Sequence, residues 1–548
     1  MNLLRHSWTL TLASLCLLTS LPGIARAQDS SANEPAVIVA LKNIDGQLED
    51  VKYLGTKAGF EQEANSIPFM AQSFLQGLDT SKPIGASVWF EGQQPRVVGM
   101  IPVSDIDALL DQISGFGIPV DEEGDFYFVE TPNVTIVMTV KDGYAFVSDS
   151  EEHLSTLPSA PADLLGGVAG EQMLAAKLFV QRIPAQLRDM AVDQMRSGFE
   201  SAMDEMDNGD LEDLQREANA MQMQQLIDLV QNSDQLVMSF GVEQSEEKVV
   251  FDMSFTGLED SKIAKQAAAM KGKASKFGKF LVDTAAFNTN GYGVLLEEDK
   301  QNLKTLLENV KATATQEIGD EDMSDEEREI VTGLVDDVFD LVNSSIEAGF
   351  LDIGATLMAD EGKMDFAVGG NLPEPAKFDA LVAKLTELAT SQQEVAIAAS
   401  KTSVAGIEFD KLTITLPEEV DEEVTQMFGD EIVLLMGRSD SEAYFAAGTS
   451  PEEAFAAIME NGNTNSEFPV IYNVRILPIL KFASANPEAA PIVNHLLETF
   501  ESENDKISIF SRIITNGQTV RGEIDADLLK LIGEGIKAQQ SMQGGADF

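Results

Sequence analysis

The chain has 548 residues, 91 acidic against 37 basic, and a formal charge of −54 at neutral pH. A surface this acidic repels nucleic acid and anionic membrane by the same electrostatics that draw basic proteins to them, which excludes nucleic acid as a partner. The single cysteine, Cys16, excludes disulfides, thiolate catalysis and cysteine-based metal sites from the rest of the chain.

At the N-terminus, Arg5 and His6 precede an apolar run from Leu10 to Leu21, and Ala25-Arg26-Ala27 follows as a small-x-small cleavage site. That is the layout of a secretory signal. The run is shorter than the roughly 20 apolar residues of a spanning helix. Leu15 stands before Cys16 where a lipoprotein signal wants a small residue, so no lipid anchor is expected. Cleavage near Ala27 would leave an exported chain, periplasmic or secreted, that begins at Gln28 and has no membrane span. Because Arg5 and Arg26 leave with the signal, 35 basic residues then face 91 acidic ones, a net of −56.

Next in chain order, AVIVAL (36–41) reads as a strand, followed by two helices up to residue 81. A unit of strand, tight turn, strand and amphipathic helix then appears four times, at 85–113, 236–267, 352–385 and 506–536. The strands alternate with period two, and the turns carry Asp, Glu, Gly or Asn-Gly, residues suited to positive φ. Ser104 and Asp525 are expected as helix caps. After Pro184 comes a methionine-rich helical stretch with Met190, Met195, Met203, Met206, Met221 and Met223. Its spacing suits core packing, with an adaptable groove as the other possibility. Residues 291–346 repeat the opening: a strand (GYGVLL), a helix from Glu298 and a helix from Ser324. The last carries a capping box with Glu327 and a stripe of Val331, Leu334, Val335, Val338 and Val342, the spacing of one buried face.

Two phrases stand out. LFVQRIP (178–184) and IYNVRILP (471–478) each place an arginine, Arg182 or Arg475, inside an apolar, strand-like run that ends in proline. Alternation puts Phe179, Gln181 and Ile183 on one face and Tyr472, Val474 and Ile476 on the matching one. Each arginine then falls on the opposite face. There it is a salt-bridged or snorkelling residue of an edge strand, or a group that holds an anionic ligand; if buried, it needs a partner.

Ordered matches link the two halves: Asp107-Ala108-Leu109 with Asp379-Ala380-Leu381, Tyr144 with Tyr444, Arg182-Ile183 with Arg475-Ile476, and Phe199-Glu200-Ser201 with Phe500-Glu501-Ser502. The expected fold class is α+β, a tandem duplication of a domain built from antiparallel β-hairpins, each followed by an amphipathic helix, with helices on one face of each sheet. The expected boundaries are 1–27 for the signal, 28–285 for the first domain and 286–548 for the second.

Motifs that carry chemistry are missing. His153 and His495 stand alone beside leucines, without a G-x-S-x-G elbow or an H-E-x-x-H helix. No phosphate-binding glycine loop occurs, and Ser245-Glu-Glu-Lys248 satisfies S-x-x-K only inside a hairpin turn. The acidic clusters 204–213, 320–329 and 418–423 do not match the calcium-loop pattern, leaving at most weak, non-specific divalent cation binding and no expected cofactor. Asn133 and Asn343 open glycosylation sequons that matter only in a eukaryotic secretory route.

The signal peptide, the acidity, the cysteine-free mature chain and the repeated hairpin-plus-helix units together resemble exported acidic proteins of marine planctomycete-type bacteria. That likeness implies export and no particular activity. The expected function is that of a non-catalytic binding or cell-envelope protein whose partner is a protein or a hydrophobic small molecule, taken in an apolar groove between sheet and helices. The alternative is a carboxylate-dependent hydrolase acting outside the cytoplasm. Trp89 is the one tryptophan after the signal, and aromatic residues make up 7% of the chain, which argues against carbohydrate as its substrate.

Overall fold

The structure, a computed structural model, describes residues 34–544 apart from 133, 206–222, 225, 321–323, 361, 392–395, 417–424, 426–428, 462–467, 487–488 and 501–503. The fold is α+β: among the described residues twenty strands form one antiparallel sheet, with helices between the hairpins. The first ten strands are β1 (Val37–Leu41), β2 (Ile84–Glu91), β3 (Gln94–Pro102), β4 (Val120–Glu123), β5 (Phe126–Glu130), β6 (Thr135–Lys141), β7 (Tyr144–Ser148), β8 (Leu174–Phe179), β9 (Ser233–Glu243) and β10 (Lys248–Gly257). The second ten are β11 (Phe287–Val294), β12 (Phe350–Asp360), β13 (Lys363–Asn371), β14 (Ala396–Val404), β15 (Ile407–Thr415), β16 (Glu431–Arg438), β17 (Glu442–Gly448), β18 (Val470–Arg475), β19 (Lys506–Ile514) and β20 (Gly517–Asp525).

From one edge to the middle, hydrogen-bonded neighbours run β4-β5-β6-β7-β3-β2-β1-β8-β9-β10. From the other edge they run β14-β15-β16-β17-β13-β12-β11-β18-β19-β20. The second series is the first with ten added to each number. The two meet where β10 pairs with β20 through nine consecutive residue pairs, from Lys248 opposite Asp525 to Thr256 opposite Gly517.

All four hairpin-plus-helix units form. The β2–β3 turn closes at Gly92 (φ 66°), and the β19–β20 turn at Asn516 (φ 58°), a left-handed position that asparagine tolerates better than most residues. The helix caps differ from expectation. Asp105, not Ser104, caps α3 (Ile106–Gly115) by accepting from the Ala108 N–H, while Asp525 accepts from the Lys506 backbone N–H across the sheet.

The sheet's two faces are packed differently. On the first face, Ile38, Val98, Met100 and Phe146 bury against Leu165 and Ala169 of α4 (Pro161–Ala169), and Leu435, Tyr444 and Ala446 bury against Phe455 and Ile458 of α10 (Pro451–Asn461). On the second face, Met138 and Ala145 pack with Leu109 and Leu110 of α3, and Leu412 and Met436 with Phe378 and Val382 of α9 (Pro375–Ser391). Helices therefore cover both faces toward the ends of the sheet, not one face as expected. The cause is local. β3 and β16 are apolar at successive positions (Met100 and Ile101, Leu435 and Met436), and a strand written that way has to be buried on both sides.

Other expectations need correction. LFVQRIP is not one strand: β8 stops at Phe179, Val180–Arg182 forms a 3-10 turn, and Ile183 is extended ahead of Pro184. In the second phrase β18 runs to Arg475, and Ile476 opens α11 (Ile476–Ala483) with Pro478 in its first turn. Proline has no N–H for a ladder, and it constrains the residue before it, so each chain leaves the sheet before reaching it. Gln181, Ile183 and Ile476 accordingly do not share a strand face with Phe179 or Val474. The stripe on α8 (Asp325–Ala348) buries Leu334 but leaves Val338 and Val342 exposed. In α5 (Ala185–Glu205) Val192 is buried and Met190 is exposed; the side chains of Met203, Met206 and Met221 lie outside the described residues. So do most of the three acidic clusters, the Glu327 side chain and Asn133.

A candidate apolar binding face

The two arginines flagged in the sequence lie at interior strands, not edges: β8 stands between β1 and β9, and β18 between β11 and β19. Arg475 binds Asp505 through Nε at 2.6 Å and donates from Nη1 to the Asp283 carbonyl at 2.8 Å; Asp505 is fully buried and also accepts from the Leu477 N–H at 2.6 Å. Arg182 donates to the Pro35 carbonyl at 2.7 Å, pairs with Glu34 and lies 3.7 Å from the centroid of the Phe179 ring. Each arginine thus fastens its strand's end to the segment that leads into β1 or β11. They are not in register, however. The Phe179 N–H bonds the Ala36 carbonyl as the Arg475 N–H bonds the Ala286 carbonyl, so Phe179, three residues before Arg182, holds the matching position.

The richest charged group among the described residues lies on the first face at the β10–β20 junction. Arg521 donates to Glu243, to Asp252 at 3.3 Å and to Glu523 at 2.8 Å, and Lys248 pairs with Glu523. Burial pushes the Asp252 carboxyl above its ordinary value, against the pull of Arg521. At Glu523 burial is outweighed by the hydrogen bond from Lys248 and by Arg521, which hold the carboxyl low. From Glu523 a polar row continues across directly paired strands through Ser508, Asn473 and Asn288 to Thr356. Ser508 donates to Asn473, Asn473 to Asn288, Asn288 to the Val282 carbonyl, and Thr356 to the Phe280 carbonyl, all at 2.6 to 2.8 Å. Each carboxylate of this group engages a cation and each buried amide a neighbour, an arrangement suited to holding strands in register. His153 pairs with Asp149 at 2.6 Å, and among the described residues no group of three or more His, Cys, Asp or Glu is placed to hold a metal.

The second face of the same strands is the reverse. Over β8, β9, β10, β20, β19, β18 and β11 the residues on this face are Leu, Ala, Met, Phe, Val, Ile, Tyr, Gln, Ser, Thr and Gly, with no Asp, Glu, Lys or Arg among the described residues in register. One row crosses them pair by pair: Leu174, Phe240, Phe251, Gly522, Ile509, Tyr472. Phe251 is 48% exposed, Ile509 and Tyr472 are each 46% exposed, and Leu174, Phe240 and the neighbouring Met238 are also exposed. By contrast the Arg521 side chain on the opposite face is 18% exposed and that of Glu523 15%. An ordinary half-solvated sheet turns its charges to water and its apolar residues inward. Here the charges are mostly covered while aromatic and aliphatic side chains face out, at the place where the two strand series meet. Exposed apolar patches of this kind mark interaction surfaces.

The sequence leads to the expectation of an apolar groove between sheet and helices but assigns none of these residues to it; Tyr472 enters there only through strand alternation. The signal was present in β9, where Leu236, Met238, Phe240 and Val242 alternate with Val237, Ser239, Gly241 and Glu243, yet period two alone does not tell which face is wet. Among the described residues no helix is long and apolar enough to cross a membrane. No protein-family model, curated protein or solved structure matches the chain.

Proposed function

We propose that the chain is an exported, non-catalytic binding or cell-envelope protein that takes a hydrophobic partner on the second face of its sheet. The observation that carries this reading is the inverted polarity at the centre of the sheet: exposed Phe251, Ile509 and Tyr472 on one face, covered Arg521 and Glu523 on the other. Apolar area left in water forgoes about 25 cal/mol per Å² of burial, so a face this apolar is stabilised by whatever covers it. Export is supported by the signal-like first 27 residues and by a chain that does without cysteine beyond them. The test is native mass spectrometry and solvent extraction of the purified protein, together with titration by an environment-sensitive apolar dye. Co-purifying apolar material or saturable dye binding is expected; clean apo protein with no dye-accessible site would overturn the reading.

The tandem duplication belongs to the same proposal. It is supported by the matched strand orders and by Gly85-Ala86-Ser87 and Gly354-Ala355-Thr356, which hold the same places in β2 and β12 relative to their neighbours. A crystal structure in which the strands of 37–257 fail to superpose in order on those of 287–525 would overturn it.

A further inference from the structure

Resting on the binding-face reading above, the geometry points to a narrower occupant: we infer that a single neutral aliphatic chain binds over Gly522, between Phe251 and Ile509. Gly522 is the one glycine in the exposed row, flanked by Phe251 of β10 and Ile509 of β19 and, along its own strand, by Val520 and Ile524. A Cβ built on Gly522 would meet nothing nearer than the Phe251 carbonyl at 3.8 Å, so the space above it is open. Glycines of the covered face differ: at Gly354 a Cβ would lie 2.5 Å from Phe277, whose side chain fills that place. The row is thus interrupted at its centre by a depression whose four neighbours are all apolar.

Width and charge select the occupant. β10 and β19 lie two strand spacings apart, about 9.6 Å. A row of carbons held at about 4 Å from each wall needs about 8 Å and fits. A helix with its side chains is about 10–12 Å across and does not. Among the described residues in register, no charged side chain shares this face across the seven strands, so a headgroup charge has no partner beside the depression. A second copy would bring a further −54 against the first, a repulsion that opposes face-to-face pairing.

The experiment uses the full-length protein, the neutral fluorophore N-phenyl-1-naphthylamine as probe, 1-dodecanol and 1-butanol as competitors, and the variant Gly522→Leu. Leucine fills the depression, and a strand glycine with this clearance accepts a side chain without displacing its neighbours. Expected are saturable probe binding, displacement by dodecanol but not by butanol at the same concentration, and at least a tenfold loss of probe affinity in Gly522→Leu at an unchanged unfolding temperature. If Gly522→Leu fails to fold, Gly522→Ala replaces it, with an expected loss of about threefold. Saturable, dodecanol-sensitive binding that Gly522→Leu or Gly522→Ala leaves intact would overturn the placement while the binding face stands. Absence of saturable binding would overturn both. Concentration-dependent dimers in sedimentation that exclude the probe would overturn the aliphatic occupant in favour of a second copy.

Discussion

Asp252 of β10 and Arg521 of β20 face each other as the fifth of the nine residue pairs that join the two strand series, so the midpoint of the junction is an opposite-charge pair. Under the duplication proposed above, this position meets its own counterpart, and two unchanged copies would set like charge against like. The chain instead has one residue of each sign there, with Glu243 and Glu523 also on Arg521. The two carboxyls at this point are displaced in opposite directions. Asp252 is raised by burial, so its ionised form costs stability in full above its folded pKa, and that cost shrinks as pH falls through the folded pKa and is gone below the unfolded one. Glu523 is lowered, so its contribution is present above the unfolded pKa and is lost as pH falls through the folded one. Asp252→Asn is therefore expected to match or exceed the wild type in Tm at neutral pH, and Glu523→Gln to lose about 2 kcal/mol there. Both differences should close in acid. Thermal unfolding from about pH 3 to pH 8 checks this, and an Asp252→Asn variant as unstable at neutral pH as Glu523→Gln would contradict it.

The two arginines that look alike in the sequence should respond unequally to mutation. Arg475 is partnered by a carboxylate with no solvent exposure, and Arg475→Met leaves Asp505 a buried charge without its cation, at an expected cost of about 3–5 kcal/mol. Arg182 pairs with Glu34, which is mostly exposed, and stacks on Phe179, so Arg182→Met should cost about 1 kcal/mol or less. Denaturant unfolding of the two variants separates these values. Adding Asp505→Asn to Arg475→Met should recover part of the loss, because it removes the stranded charge. Equal costs for the two arginines would show that burial of the partner does not govern the effect.

Much of this architecture was legible because it is local. Alternation over eight to eleven residues, a two-residue turn and an amphipathic helix identified all four hairpin units. The pairing of β10 with β20 was not legible: it joins residues more than 260 apart, and nothing in either strand names its partner. The start of β11 was also missed. Phe287-Asn288-Thr289-Asn290 reads as loop because asparagine is depleted in strands, yet these residues pair with both β12 and β18. Tyr144 and Tyr444 matched in the sequence and do lie in corresponding strands, but Phe146, opposite Met100, holds the place that Tyr444 holds opposite Gly369. The exposed row was hidden for a different reason. Hydrophobic alternation reports which residues share a face, and the usual assumption that the apolar face is buried fails where that face is the surface for binding.

Asn288 of that misread segment belongs to a polar row whose members should prove to be coupled. Asn473, buried on the first face, donates to Asn288 and accepts from Ser508, both at 2.8 Å, so it is the middle of a three-residue chain. Truncating Asn473 to alanine leaves the Asn288 oxygen without that donor and the Ser508 hydroxyl without that acceptor, and each group left unsatisfied in a dry interior costs about 1–3 kcal/mol, for an expected total of about 2–4 kcal/mol. Ser508→Ala removes one bond and strands one acceptor, at about 1–2 kcal/mol. Because both variants delete the same Ser508–Asn473 bond, the double variant should cost less than the sum of the singles by about 1 kcal/mol. In the first half the residues paired at these places are Ile38, Lys177 and Val237, which carry no such chain, so the strand order does not itself require it. A double-mutant cycle by denaturant unfolding measures the coupling. Strict additivity would mean that the row is three independent polar residues sharing a face, and that strand register at the β11–β18–β19 centre is held by backbone pairing alone.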